Sequence, residues 1–304
     1  SMETTPTVHI QSITQLHQLL EQPKPRHPLV SLIRFEDFPA IKIEQRTRLI
    51  SDCYQITLKK ECPCKIQYGQ SRFDFDEGVM ACFAPKQVNF IDQDFAFATA
   101  GWQLSIHPDF LRNYPLGSKI KNYGFFDYSV NEALILSEEE QRRIEIIFLQ
   151  MLEESRLPID QFSQDAWIAH LELLLTYCNR YYNRQFITRK AVSSELLDKV
   201  QKLLDEYFAS QESNKGLPTA QYLAESLHLS SKYLSDCLKQ LTGSTTQQFI
   251  HERLIEQAKE KLSTTSLSVG EIAYQLGFEY PQSFSKLFKA KTNQTPLEFR
   301  AFYN

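Results

Sequence analysis

The sequence predicts an α+β chain with three parts: an antiparallel β-barrel or sandwich, then a helical segment, then an all-helical C-terminal domain. Three observations lead there. Apolar residues alternate with polar ones from about Leu29 to Ile106, their spacing changes to a helical period from Ser137, and a helical segment near the C-terminal end occurs twice. The 304 residues are 42% hydrophobic and 23% charged, a globular composition at a length that usually divides into two domains, which excludes a disordered chain or a coiled-coil rod.

Taken from the beginning, Ser1-Met2-Glu3-Thr4-Thr5 lacks the basic end and apolar stretch of a secretory signal, and Ser1 before Met2 reads as an expression scar. No apolar run approaches the roughly 20 residues of a membrane-spanning helix. A cytoplasmic location with no membrane partner is expected. The six cysteines, Cys53, Cys62, Cys64, Cys82, Cys178 and Cys237, are then expected to be reduced thiols. The pair in Cys62-Pro63-Cys64 supplies two sulfurs, with no neighbouring His or second pair to complete a tetrahedral zinc site. The histidines stand apart from one another, and no phosphate-gripping Gly-rich loop or Gly-x-Ser-x-Gly elbow is present. No catalytic residue, cofactor or metal is therefore expected.

Strands follow from the alternation. Tyr54, Ile56 and Leu58 interleave with Gln55, Thr57 and Lys59; Phe73 and Phe75 repeat the pattern, as do Trp102, Leu104 and Ile106. The strands are short, consecutive and separated by turns such as Asp76-Glu77-Gly78, which favours antiparallel pairing. If the barrel encloses a pocket, the faces carrying Tyr54, Phe73, Phe75 and Trp102 are the candidate lining. Its ligand would be small, partly apolar and uncharged or weakly charged. The alternative is that these rings simply fill a small barrel.

Helices begin at Ser137. Ile144, Ile147, Phe148 and Met151 form one stripe, and Trp167, Ile168, Leu171, Leu174, Leu175 and Cys178 form a second, broader one. Both read as core, but one barrel face offers little cover for two helices, so Trp167, Leu171, Leu174 and Leu175 are also the candidate dimer seam. Polar residues from Asn183 to Ser194 suggest a linker. After Glu195, Leu196, Leu197, Val200, Leu203, Leu204, Tyr207 and Phe208 fall on one helical face.

The repeat comes next. Leu223-Ala224, Leu227 and Leu229 reappear 49 residues later as Ile272-Ala273, Leu276 and Phe278; Ser235, Lys239, Thr242, Thr245 and Phe249 reappear 50 residues later as Ser285, Lys289, Thr292, Thr295 and Phe299. In the later copy Ser268 and Glu271 have capping-box spacing, Gly277 interrupts after the first helix, and Pro281 suits the first position of the second. Each copy is therefore a helix-turn-helix. With Phe284, Leu287 and Phe288 buried, Gln282, Ser285, Lys286 and Lys289 form the opposite polar stripe; Lys232, Ser235, Asp236 and Lys239 form its counterpart in the first copy. Such stripes can read a major groove: an amide pairs with adenine, an ammonium donates to guanine, and hydroxyls bond bases or phosphates. The plain alternative is a solvated helix face.

The runs Leu267-Ser268-Val269-Gly270-Glu271-Ile272-Ala273, Leu276-Gly277-Phe278, Pro281 to Lys289 and Thr295-Pro296-Leu297-Glu298-Phe299-Arg300 resemble the signature of the AraC/XylS transcription regulators. The resemblance covers the chain from about Glu195 to its end. It implies two helix-turn-helix subdomains joined by a long helix, here Gln247 to Leu262 with Arg253 in it. It also implies a cupin-like effector-binding barrel and dimerising helices ahead of them. The family's base-contacting positions fall on Lys232, Ser235 and Asp236, and on Pro281, Gln282, Ser285 and Lys286. The partners implied are double-stranded DNA, a small-molecule effector, a second copy of the chain and RNA polymerase. The domains would be 1–136 (cupin-like β-barrel), 137–192 (helical dimerisation segment and linker) and 193–304 (DNA binding).

Two departures stand out. The family often carries a basic residue where this chain has Asp236, and often Gly where it has Asn293. From residue 195 onward, 12 Lys and Arg face 13 Asp and Glu, whereas DNA-binding domains usually carry a basic excess. The excess is local, at Lys286, Lys289, Lys291 and Arg300, which favours a stronger grip by the second unit. Two rivals remain at this level: a protein-interaction regulator with little direct DNA binding, and a cupin-type enzyme.

Overall fold

The computed structural model describes residues 4–60, 78–188, 190–210 and 216–303, with no account of side chains 190–194. The chain divides into two compact units, Ser1–Gln185 and Phe186–Asn304.

The first unit holds strands β1 (Thr7–Ile10), β2 (Val30–Arg34), β3 (Thr47–Ser51), β4 (Tyr54–Lys60), β5 (Val79–Phe83), β6 (Val88–Ile91), β7 (Ala100–Ile106) and β8 (Leu134–Ile135). Helix α1 (Ile13–Leu19) follows β1, and the short α2 (Leu116–Lys119) follows β7. Among the described residues the strands form two sheets rather than the closed barrel expected. Their orders are β1-β3-β6 and β2-β7-β4-β5-β8. Pairing is antiparallel except that β1 lies parallel to β3. That strand precedes the alternating region, and its partner lies some forty residues away (Thr7 opposite Arg48), so no local turn signal announces it.

In the larger sheet Tyr54, Ile56 and Leu58 stand opposite Ile106, Leu104 and Trp102, which gives one continuous apolar face. Helix α3 (Glu138–Arg156) packs there through Ile144, Ile147, Phe148 and Met151, with the ring of Phe148 stacked 5.7 Å from Trp102. Its start is fixed by a reciprocal capping box between Ser137 and Glu140. Helix α4 (Ser163–Thr188) adds Cys178, whose sulfur lies 3.9 Å from that of Met80, and Tyr182, stacked 4.9 Å from Phe125.

This packing corrects the expected dimer seam. Trp167, Leu171, Leu174 and Leu175 are buried within the single chain, on a helix that meets the five-stranded sheet where Cys178 touches Met80 and the segment after β7 where Gln164 bonds to Phe110 and Tyr182 stacks on Phe125. The large apolar residues that α3 and α4 leave exposed are Ile146, Leu149, Leu173 and Ile187. Nor is the polar stretch 183–194 irregular: residues 183–188 end α4, and α5 (Lys190–Ala209) takes in 190–194.

The second unit is all helix: α5, α6 (Ala220–Ser226), α7 (Ser231–Thr242), α8 (Thr246–Thr264), α9 (Val269–Gln275), α10 (Pro281–Thr292) and α11 (Pro296–Ala301). One hydrophobic core runs through it, from Val200 and Leu204 of α5 to Phe284 and Phe288 of α10. Along α8, Phe249, Ile250, Leu254, Ile255, Ala258 and Leu262 are all buried, so this helix is the shared spine of both repeats.

Candidate nucleic-acid interface

The two repeats have the same local construction. In the first, Thr219 and Ser230 cap α6 and α7 by accepting from the backbone N–H groups of Tyr222 and Tyr233. In the second, Ser268 caps α9, and α10 opens without a side-chain cap but with Pro281 in its first turn. Both second helices end on a left-handed residue, Gly243 at φ 76° and Asn293 at φ 60°. The turns inside the repeats also use that conformation, with Gly277 at φ 102° and, 49 residues earlier, His228 at φ 57°.

Each second helix buries one side and leaves the other open. In α10, Phe284 and Phe288 are buried, whereas Gln282, Lys286 and Lys289 are exposed and Pro281 and Ser285 half-buried. In α7, Leu234, Cys237 and Leu238 are buried, Lys232 and Lys239 exposed, and Ser235 and Asp236 half-buried. The two open faces differ electrostatically. Lys232 Nζ lies 3.3 Å from Asp236 Oδ1, one helical turn away, so the first face is partly neutralised by its own ion pair. Lys286 and Lys289 have no such partner among the described residues. Of the other cations expected to add to the second unit, Arg300 is committed elsewhere: its guanidinium donates to the carbonyl of Leu262 at 3.1 Å and to that of Thr265, at the end of α8. Lys291 lies near His251, where burial first and then that ammonium hold the imidazole below its ordinary range.

Three contacts set the separation of the two faces. Arg253 of α8 pairs with Asp205 of α5, and Lys261 Nζ donates to Gln275 Oε1 of α9 at 3.1 Å. The third involves glycine. Tyr207 donates its hydroxyl to the Gly216 carbonyl at 2.6 Å, and a Cβ at Gly277 would stand 2.2 Å from that same oxygen. The turn of the second repeat thus rests directly on the backbone that leads into the first. Sequence reading attributed Gly277 to turn conformation and had no signal for this approach.

The proposed pocket residues divide. Tyr54 and Trp102 face the helices, with Tyr54 5.3 Å from Phe126 and Trp102 between Phe148 and the guanidinium of Arg34; Phe73 and Phe75 lie outside the described residues, as do Cys62 and Cys64. A cavity of about 180 Å³ instead opens between the two sheets, on the opposite face of β4 and β7, where Gln55, Thr57 and Gln103 meet Leu49, Phe83, Phe90 and Phe95. Ser105 donates to Gln55 Oε1 at 2.6 Å and Gln103 to the same oxygen at 3.2 Å. The correction is one of parity: the more apolar row went to the helices and left the mixed row for the cavity.

A family model described as a helix-turn-helix domain matches residues 223–301. The histidine kinase P4 of Formosa agariphila is 29% identical over 39% of this chain and 8% of its own length. The uncharacterized HTH-type transcriptional regulator YisR of Bacillus subtilis is 38% identical over 30% of this chain and 31% of its own. The HTH-type transcriptional activator RhaS of Salmonella schwarzengrund is 29% identical over 44% and 46% respectively. The chain spans less than half the length of each of these relatives.

Proposed function

From the premise that this chain carries an AraC/XylS-type helix-turn-helix domain, we propose that the whole protein is a cytoplasmic, sequence-specific DNA-binding transcription regulator that responds to a small-molecule effector. The observation that carries the reading is the duplication itself: two matching recognition helices, α7 and α10, built on one buried spine, α8. A spine of 19 residues is roughly 28 Å long, suited to placing two helices in successive major-groove segments about 34 Å apart on one DNA face.

In this reading Gln282, Ser285, Lys286 and Lys289, with Pro281 at the helix start, read and grip the stronger segment, and Lys232, Ser235, Asp236 and Lys239 the weaker. The first unit serves as the sensor. A cupin-like domain over residues 1–136 would receive its effector in the cavity between the sheets, where Gln55, Thr57 and Gln103 supply hydrogen bonds and Phe83, Phe90 and Phe95 supply apolar walls. The ligand remains small, partly apolar and uncharged or weakly charged. Residues 137–192 would pair two copies through Ile146, Leu149 and Leu173, and the dimer would act on transcription through RNA polymerase. The reading assigns no catalysis.

A genome-wide binding assay followed by footprinting of recovered sites is the test. Two protected segments per subunit, one helical turn apart, are expected; protection of a single segment counts against the two-helix reading, and no recovered DNA favours the protein-interaction alternative.

A further inference from the structure

We propose that the outer edge of β2 takes up an extended peptide from a partner protein as an added antiparallel strand, the peptide carrying apolar residues at alternate positions and carboxylates toward its C-terminal end. β2 is the terminal strand of the five-stranded sheet. On its inner side the His107 N–H donates to the Leu29 carbonyl at 2.8 Å, in the same register that pairs Val30 with Ile106 and Leu32 with Leu104. Hydrogen-bonded and non-hydrogen-bonded pairs alternate along an antiparallel ladder. Ser31 and Ile33 therefore bond to β7, and the backbone N–H and C=O groups of Val30, Leu32 and Arg34 point outward. The outward N–H groups of all three and the carbonyls of Val30 and Leu32 have no partner among the described residues, while the Arg34 carbonyl opens the short 3-10 turn Phe35–Asp37. The strand carries none of the usual protections of an edge: no proline, no bulge and no charge before its last residue.

That edge opens into a groove rather than flat solvent. All five residues of β2 line a space of about 620 Å³, closed on the far side by Leu152, Leu157, Ile159 and Trp167 of α3, α4 and their connection. Leu157 and Ile159 are 55% and 65% exposed there, an apolar lip that a strand's alternate side chains would cover. The charge is uneven along the groove. Lys24, Arg26 and Arg156 gather where the chain enters β2, against Glu154 and Asp160. Asp160 keeps its charge while accepting from the Phe162 N–H at 2.8 Å and from the Ser163 hydroxyl, and Arg26 donates to the Ser155 carbonyl at 3.2 Å, so that side holds three cations against two carboxylates. At the other end Arg34 is paired with Glu36 at 3.0 Å and Asp37 is near, so that end is not cationic. A strand antiparallel to β2 brings its C-terminal end to the cationic side, which is why the occupant is acidic there.

The test is selection of a phage-displayed random octapeptide library on the full chain, with counter-selection on Leu32→Pro. Proline at 32 removes an outward N–H and leaves the β7 ladder intact, and its fold is checked by circular dichroism. Enriched sequences should alternate apolar residues and end in Asp or Glu. A synthetic copy should bind wild type, lose roughly tenfold or more when its inward amides are N-methylated, lose a similar factor on Lys24→Glu/Arg156→Glu, and slow amide exchange at Leu32 and Arg34. No enrichment overturns the proposal. So do peptides that tolerate N-methylation or leave the exchange of Leu32 and Arg34 unchanged; the exchange measurement needs only wild type, so it decides even if Leu32→Pro fails to fold.

Discussion

Lys232 stands in the first turn of α7, whereas Lys286 stands in the second turn of α10, at the position that the 50-residue repeat gives to Asp236, so the two helices carry opposite charges at that equivalent site. Asp236, 3.3 Å from Lys232, offsets that charge before any DNA arrives, whereas Lys286 is exposed and unpaired among the described residues. Lys286→Ala is therefore expected to weaken specific binding by about 1–3 kcal/mol and to relax preference at one base pair. Lys232→Ala should do less, and titrations of both variants at fixed salt compare them. Asp236→Ala should strengthen non-specific binding if the carboxylate only opposes phosphate, and weaken specific binding if it accepts from cytosine. The pair was legible in the sequence, because four-residue spacing on a helix brings side chains together. The role of Arg300 was not, because its carbonyl partner at Leu262 lies 38 residues back and no local pattern marks it. The cysteines show burial acting on chemistry: it pushes the Cys53 thiol up to about 12, with Asp52 adding, and Cys237 up to about 11, with Asp236 adding. A thiol pKa raised on folding stabilises the native state fully below the unfolded value near 9 and loses that contribution as pH rises through the folded one. Urea midpoints should fall between pH 9 and 12, and less so in a Cys53→Ala/Cys237→Ala variant measured against its own pH 7 value.

The two turn residues make a comparison among elements. Gly277 and Gly243 both have positive φ, but a Cβ at Gly277 meets the Gly216 carbonyl while one at Gly243 meets nothing within 4 Å. Gly243→Ala should cost about 1 kcal/mol from conformation alone. Gly277→Ala adds the clash, so it should cost clearly more and shift the spacing that the two recognition helices prefer, read on DNA with one base pair inserted between segments. His228 is exposed and holds the equivalent turn at φ 57°, so His228→Gly should stabilise the second unit by up to about 1 kcal/mol in thermal unfolding. The helical repeats were legible because i, i+3, i+4 burial is a local pattern that residues 223–299 display twice. The sheets were less so. β4 is buried on both faces from Tyr54 to Leu58, so alternation located the strand without saying which row meets helices and which meets the cavity. β1 was lost because parallel pairing to β3 depends on a distant partner.

For the whole molecule, the proposed regulator, with one recognition face partly neutralised by its own ion pair, would gain most from pairing with a second copy, since linkage turns the second binding event into an intramolecular one at high effective concentration. The surface available for it is set by what the monomer already covers. Leu171 and Leu175 are 2% and 0% exposed, so Glu at either would bury a charge in the core and unfold the first unit rather than release a folded monomer. Ile146, Leu149 and Leu173 are 43%, 46% and 43% exposed and contribute little to the monomer's own core. Ile146→Glu/Leu149→Glu should therefore leave the thermal transition of the first unit near that of wild type, convert a dimer to a monomer in sedimentation at micromolar concentration, and weaken binding to a full operator far more than to a single half-site. Equal losses on both DNAs would place the effect within one subunit, and a wild type that sediments as a monomer would remove the pairing; in that case the affinity of α10 for its own groove segment would have to carry recognition alone.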